Sequence, residues 1–193
     1  MAPGTPQPAL SLMVTVNIWA LALFAVVAGV SDLRFRRIPN WLNVSGLVLG
    51  IALNSATRGL SGAGSSLLGA GVGLILLLPL AAVGGMGMGD LKFIASLGAF
   101  LGLRNLMTVL VLGVFVNFLM AVAAVIWKRR VLETARNLSR ILTSLAALHL
   151  PGPELTLENP RLLKVPFGVA MAVAVIIYTA GYAWGGVRID VLP

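Results

Sequence analysis

Residues 91–127 read LKFIASLGAFLGLRNLMTVLVLGVFVNFLMAVAAVIW. The run is apolar almost throughout, and its only two consecutive polar residues are Arg104-Asn105. A bilayer span needs about 20 mostly apolar residues, so one straight helix of this length would be nearly twice too long. The chain is therefore expected to break at Gly102-Leu103-Arg104-Asn105, giving spans over 91–103 and 106–127. The alternative is five spans in all, with 91–103 re-entrant. Outward from this run, further span candidates are 10–30, 41–56, 65–83 and 165–184. The sequence thus predicts an all-α, polytopic membrane helix bundle of about six transmembrane helices, forming a single integral membrane domain over 1–193.

Composition agrees. Of the 193 residues, 59% are hydrophobic and 10% charged, and the mean hydropathy is +0.99. A soluble domain carries about 25% charged residues, so a soluble enzyme, a disordered chain and a nucleic-acid module are all excluded. There is no Cys, which removes disulfide staples, zinc ribbons and thiol nucleophiles. The flank before the first span has no Lys or Arg, unlike a cleaved signal peptide, and a retained span is expected.

Net charge is +8. Cytoplasmic loops of membrane proteins collect Lys and Arg. An external N-terminus leaves only Arg58, Arg104 and Arg188 of the 14 basic residues outside. Trp19, Trp41, Trp127 and Trp184 lie in or beside apolar runs and are expected to be interfacial anchors. In the polar stretch 128–164, Val131, Leu132, Ala135, Leu138, Ile141, Leu142, Leu145 and Leu148 recur at helical spacing. Arg129, Arg130, Arg136 and Arg140 add a basic component. This predicts an interfacial amphipathic helix in the cytoplasmic loop before the last span, ended at Pro151-Gly152-Pro153. The pairs Gly46/Gly50, Gly69/Gly73 and Gly98/Gly102 would let helix backbones approach closely.

Of six acidic residues, Glu133, Glu154, Glu158 and Asp190 fall in the polar loop or the tail. Asp32 and Asp90 lie at apolar helix ends, where an ionisable group is costly unless paired or functional. Charge counting puts both at the cytoplasmic end of their spans. Local salt bridges to Arg34, Arg36 or Lys92 are the simpler explanation of each. Their surroundings favour chemistry. Asp90 ends Gly84-Gly85-Met86-Gly87-Met88-Gly89-Asp90, a glycine-rich backbone beside which a second chain could lie extended. Asp32 precedes Ile38-Pro39-Asn40, where Pro39 forces an extended Ile38.

Elimination points the same way. The lone His149 sits in the polar loop, and no HExxH or nucleotide-binding motif is present. No metal or cofactor is expected. An aspartate pair remains. Two close carboxylates share a proton, so one takes a proton from water while the other polarises a scissile carbonyl. A non-enzymatic alternative is a small transporter or scaffold whose Asp32 and Asp90 bind protons or cations.

These residues resemble a known family. Gly87-Met88-Gly89-Asp90 matches the Gly-x-Gly-Asp motif of membrane-embedded aspartic proteases. Asp32 with Ile38-Pro39-Asn40 resembles the first-aspartate motif of type IV prepilin peptidases. Asp90-Leu91-Lys92 followed by Gly98-Ala99-Phe100-Leu101-Gly102 is similar to that family's second motif. Val165-Pro166-Phe167-Gly168-Val169-Ala170 is similar to the opening of its last span. The resemblance implies a peptidase of the inner (cytoplasmic) membrane. It would cut the short basic leader of a prepilin at the cytoplasmic face, with Asp32 and Asp90 catalytic and Gly87, Gly89 and Lys92 in support. Its partners would be the prepilin and the lipid bilayer. Larger members also methylate the new N-terminus, using an insert between the first two spans. Here that interval is only 31–40, so a separate N-methyltransferase insert is not expected. The compact form looks most like the peptidases of tight-adherence (Flp-type) pilus systems.

Overall fold

The computed structural model describes residues 8–146 and 165–184. The Pro151-Gly152-Pro153 stop, His149, Glu154, Glu158 and Asp190 lie outside them. The described residues form five helices: α1 (Pro8–Phe35), α2 (Asn40–Ala82), α3 (Met88–Trp127), α4 (Val131–Ala146) and α5 (Phe167–Ala183). Three are long and apolar enough to cross a membrane, over Leu12–Phe35, Asn40–Ala82 and Met88–Trp127, and Phe167–Tyr182 is a shorter apolar helix. Large apolar side chains such as Ile75, Val111 and Phe118 face outward. A water-soluble bundle would carry charge there, whereas lipid accepts this surface. All four tryptophans are exposed as well.

α2 and α3 are longer than a bilayer needs, and each is interrupted at a glycine. Gly59 has φ 60° and ψ −139°, and Gly102 has φ 70° and ψ 177°. Positive φ of this kind is readily available only to a residue without Cβ. Contacts show that the chain reverses at both. Along the first leg of α2, Asn43 meets Gly89 and Gly50 lies against Ala99 and Phe100. Past Gly59 the order inverts: Ser65 lies against Gly102, Gly69 against Gly98 and Gly73 against Ile94. The α3 reversal follows from Gly73, whose added Cβ would stand 3.1 Å from Ile94 and 3.2 Å from Leu106. In an unbroken helix those residues would be about 18 Å apart.

The predicted break in 91–127 therefore falls at Gly102. Two details differ from the sequence reading. Residues 57–64, read there as the gap between two spans, are helical on both sides of Gly59, because a single positive-φ glycine turns the chain without a loop. The first span does not stop near residue 30. α1 runs to Phe35, so Asp32 lies within its last turn.

Several glycines of α2 serve close packing. Gly46 faces the Phe24 ring, and Gly69 and Gly98 approach backbone to backbone. α5 packs on α1 and α3, with Met171 filling the space above Gly113. Phe24 lies between Phe93 and Phe100 at ring-centroid distances of 5.6 and 5.5 Å.

One buried polar residue ties the two reversals together. Asn54 donates through Nδ2 to Ser66 Oγ (2.9 Å), Ala99 O (2.8 Å) and Phe100 O (2.9 Å). Its Oδ1 accepts from Asn17 (3.1 Å) and Arg58 (3.3 Å). In a continuous helix the carbonyls of Ala99 and Phe100 would accept from residues 103 and 104, and the turn at Gly102 redirects that backbone. Each carbonyl left without a donor costs about 1–3 kcal/mol. Asn54→Leu should therefore lower the thermal unfolding midpoint in detergent by several degrees. Gly71→Ala, whose added Cβ meets nothing within 4 Å, should leave it unchanged.

Candidate active site

Asp32 and Asp90 are brought together at one end of the bundle. Asp32 reaches the site from the C-terminal turn of α1. There the Arg36 N–H closes the helix on the Asp32 carbonyl (2.9 Å), with Arg36 at φ 54°. Residues 36–39 then pass directly into α2, and Ser31 Oγ holds them through the Arg37 carbonyl (3.0 Å). Pro39 is the extended N-cap residue of α2.

Asp90 reaches the site from the first turn of α3. Gly87 is the N-cap residue, so Asp90 occupies the third helical position. Its carboxylate reaches back to the Gly87 N–H, which is half of a capping box. The carboxylates of Asp32 and Asp90 are close enough to interact electrostatically. Asp32 is buried, with 6% of its surface exposed, whereas Asp90 is half-buried. Among the described residues, no Lys or Arg forms a salt bridge with either aspartate.

The supporting residues are distributed unevenly. An added Cβ at Gly87 would come within 3.2 Å of Asp90 Oδ2, so this glycine borders the carboxylate. Gly89 is not part of an open strand. It is already helical, and its added Cβ would meet the Ile38 carbonyl at an ordinary 3.4 Å. Lys92 donates to Asn40 Oδ1 (3.0 Å).

That lysine belongs to a clamp that the sequence reading did not anticipate. Asn43 Nδ2 donates to the Gly89 carbonyl (3.2 Å), and Ser96 Oγ donates to the Asn43 carbonyl (2.7 Å). Together with Asn40–Lys92 these bonds fasten the start of α2 to the start of α3 and fix the turn that carries Asp90. A further unanticipated contact holds Asp32. The Gly168 N–H, in the first turn of α5, donates to Asp32 Oδ2 (2.8 Å). The available signal was general: an Asn or Ser inside an apolar run must find a partner, and Asn43 and Ser96 both sit in such runs.

The chain matches the type IV leader peptidase family over residues 19–126, more than half its length, and it belongs to that family. Both aspartates lie inside the matched region and Gly168 lies beyond it. Among characterised proteins, the chain is similar to a prepilin leader peptidase/N-methyltransferase of Bacillus subtilis (strain 168). The two are 33% identical over 109 residues, covering 54% of this chain and 42% of the relative. The chain thus aligns with less than half the length of that protein. No solved structure matches it.

Proposed function

We propose that this chain is a prepilin leader peptidase, an aspartic endopeptidase that removes a basic leader at the cytoplasmic face of the inner membrane. The observation that carries the reading is the meeting of Asp32 and Asp90, remote in sequence, at one end of the bundle. One carboxylate accepts a proton from the attacking water while the other, protonated, polarises the scissile carbonyl. The half-buried position of Asp90 leaves a way for water to enter. An ion-path role is less well supported, because both acids sit at one end rather than at the mid-depth usual for transporter sites. The four-residue connection between α1 and α2 leaves no room there for a methyltransferase insert. A Flp-type prepilin is the proposed substrate class.

In this reading α1, the two legs of α2, the two legs of α3 and α5 are six spans. α4 then lies on the inner leaflet, with the N-terminus outside. Reporter fusions after Arg37 and Arg130 should read cytoplasmic and a fusion after Gly62 external. An external reading after Arg37 removes Asp32 from the face where a cytoplasmic leader arrives.

The activity is tested by co-expression with a Flp-type prepilin, following leader loss on a gel. Asp32→Asn and Asp90→Asn should each abolish cleavage while the protein still accumulates in the membrane. Glu133→Gln, at an exposed residue paired with Arg130, should cleave at the parental rate. Parental cleavage by either aspartate variant eliminates the aspartic mechanism.

The glycines before Asp90 give a graded expectation. Gly87→Val crowds the Asp90 carboxylate and should reduce cleavage per unit of protein by at least an order of magnitude, in line with the ~100-fold effect of small misplacements. Gly89→Ala should be milder, and Met88→Leu, at an exposed position, nearly silent. Equal losses for Gly87→Val and Met88→Leu would separate this turn from the chemistry.

A further inference from the structure

Asp32 is set in an awkward place for a carboxylate. It lies in the last turn of α1, where its own helix presents carbonyls rather than N–H groups and the helix dipole is negative. It is buried, and no Lys or Arg among the described residues forms a salt bridge with it. A buried carboxylate without a donor is strongly disfavoured. Its donor in this structure is the Gly168 amide at 2.8 Å. It lies in the first turn of α5, where helix N–H groups lack intrahelical partners and the dipole is positive.

We propose that Gly168 is a positioning residue for leader cleavage: its amide fixes the Asp32 carboxylate, and its missing side chain lets α5 come close enough to do so. The inference rests on the reading of Asp32 as catalytic. A Cβ built on Gly168 would stand 2.9 Å from both Asp32 Cβ and Oδ2 and 3.1 Å from Cγ. The first two separations are closer than side-chain carbons pack, and the third is tight. The helices are close at the neighbouring turn as well. One turn earlier on α1, Gly29 faces Ala172 of α5, and a Cβ there would come within 2.7 Å of the Ala172 Cβ. The two helices are already in backbone-level contact at that point. Asp32 Cβ is fixed to α1, so α5 must yield slightly at that atom, and the carboxylate must turn away from the amide.

Gly168 has no positive φ and lies within α5, so alanine suits its backbone and favours the helix. A purely structural role and a positioning role therefore predict different results. The test uses the purified full chain with a prepilin substrate, measuring kcat, KM and thermal unfolding. Gly168→Ala should lower kcat, per folded protein, by about 100-fold with KM changed less than about twofold, and the crowding at Asp32 Cβ should lower the unfolding midpoint no more than Gly29→Ala does. Gly71→Ala should keep the parental kcat. Gly29→Ala tightens the same helix crossing without touching the carboxylate, and its kcat should fall far less than that of Gly168→Ala. Parental kcat in Gly168→Ala overturns the proposal. So does a loss of cleavage that only follows loss of folded protein, or an equal kcat loss in Gly29→Ala. If Asp32→Asn itself cleaves normally, the underlying reading of Asp32 fails, and that outcome is separate from any result at Gly168.

Discussion

In a low-dielectric bundle, a helix can stop or turn only where another group takes over the hydrogen bonds it gives up. The architecture of this chain follows from how that demand is met at Gly102. The turn there releases the carbonyls of Ala99 and Phe100, and Asn54 donates to both. The same side chain reaches across the α2 reversal to Ser66 and accepts from Asn17 of α1. One amide thus joins three helices at two reversals. The short first leg of α3, which carries Asp90, is consequently pinned at its far end by Asn54. At its near end it is held by the clamp of Asn40, Asn43, Lys92 and Ser96.

The two aspartates are held by different devices. Asp90 caps its own helix through the Gly87 amide, a local interaction written into adjacent residues. Asp32 depends on a helix far away in the chain, because the end of its own helix offers it nothing. This asymmetry explains the different roles of nearby glycines. Gly87 and Gly168 border carboxylates, whereas Gly69 and Gly98 bring helix backbones together.

Much of this was legible in the sequence. The helical class followed from apolar run length and scarcity of charge. The double-length run 91–127 announced its break because no bilayer accommodates it, and the glycine at the break could be named. Asp32 and Asp90 stood out as acids at apolar helix ends. The Gly59 reversal was harder to see, since Thr57, Arg58 and Ser61 resemble loop residues when only hydropathy is weighed. Asn43, Asn54, Ser96 and Gly168 were missed as partners for a physical reason. A hydrogen bond between distant segments depends on how helices cross, and neither periodicity nor composition encodes the crossing. The Lys92 contact was missed for the same reason: the residue is close to Asp90 in sequence, but its side chain extends to Asn40 on another helix.

The Gly168–Asp32 bond joins residues 136 apart in sequence. At synthesis rates of about 5–20 residues per second, that interval lasts on the order of ten seconds. Asp32 enters the membrane with α1 and stays without this donor until α5 arrives. The site is therefore finished by the last described helix to be made. Arrival of that helix marks the point at which the chain passes from an inserted set of helices to an assembled centre.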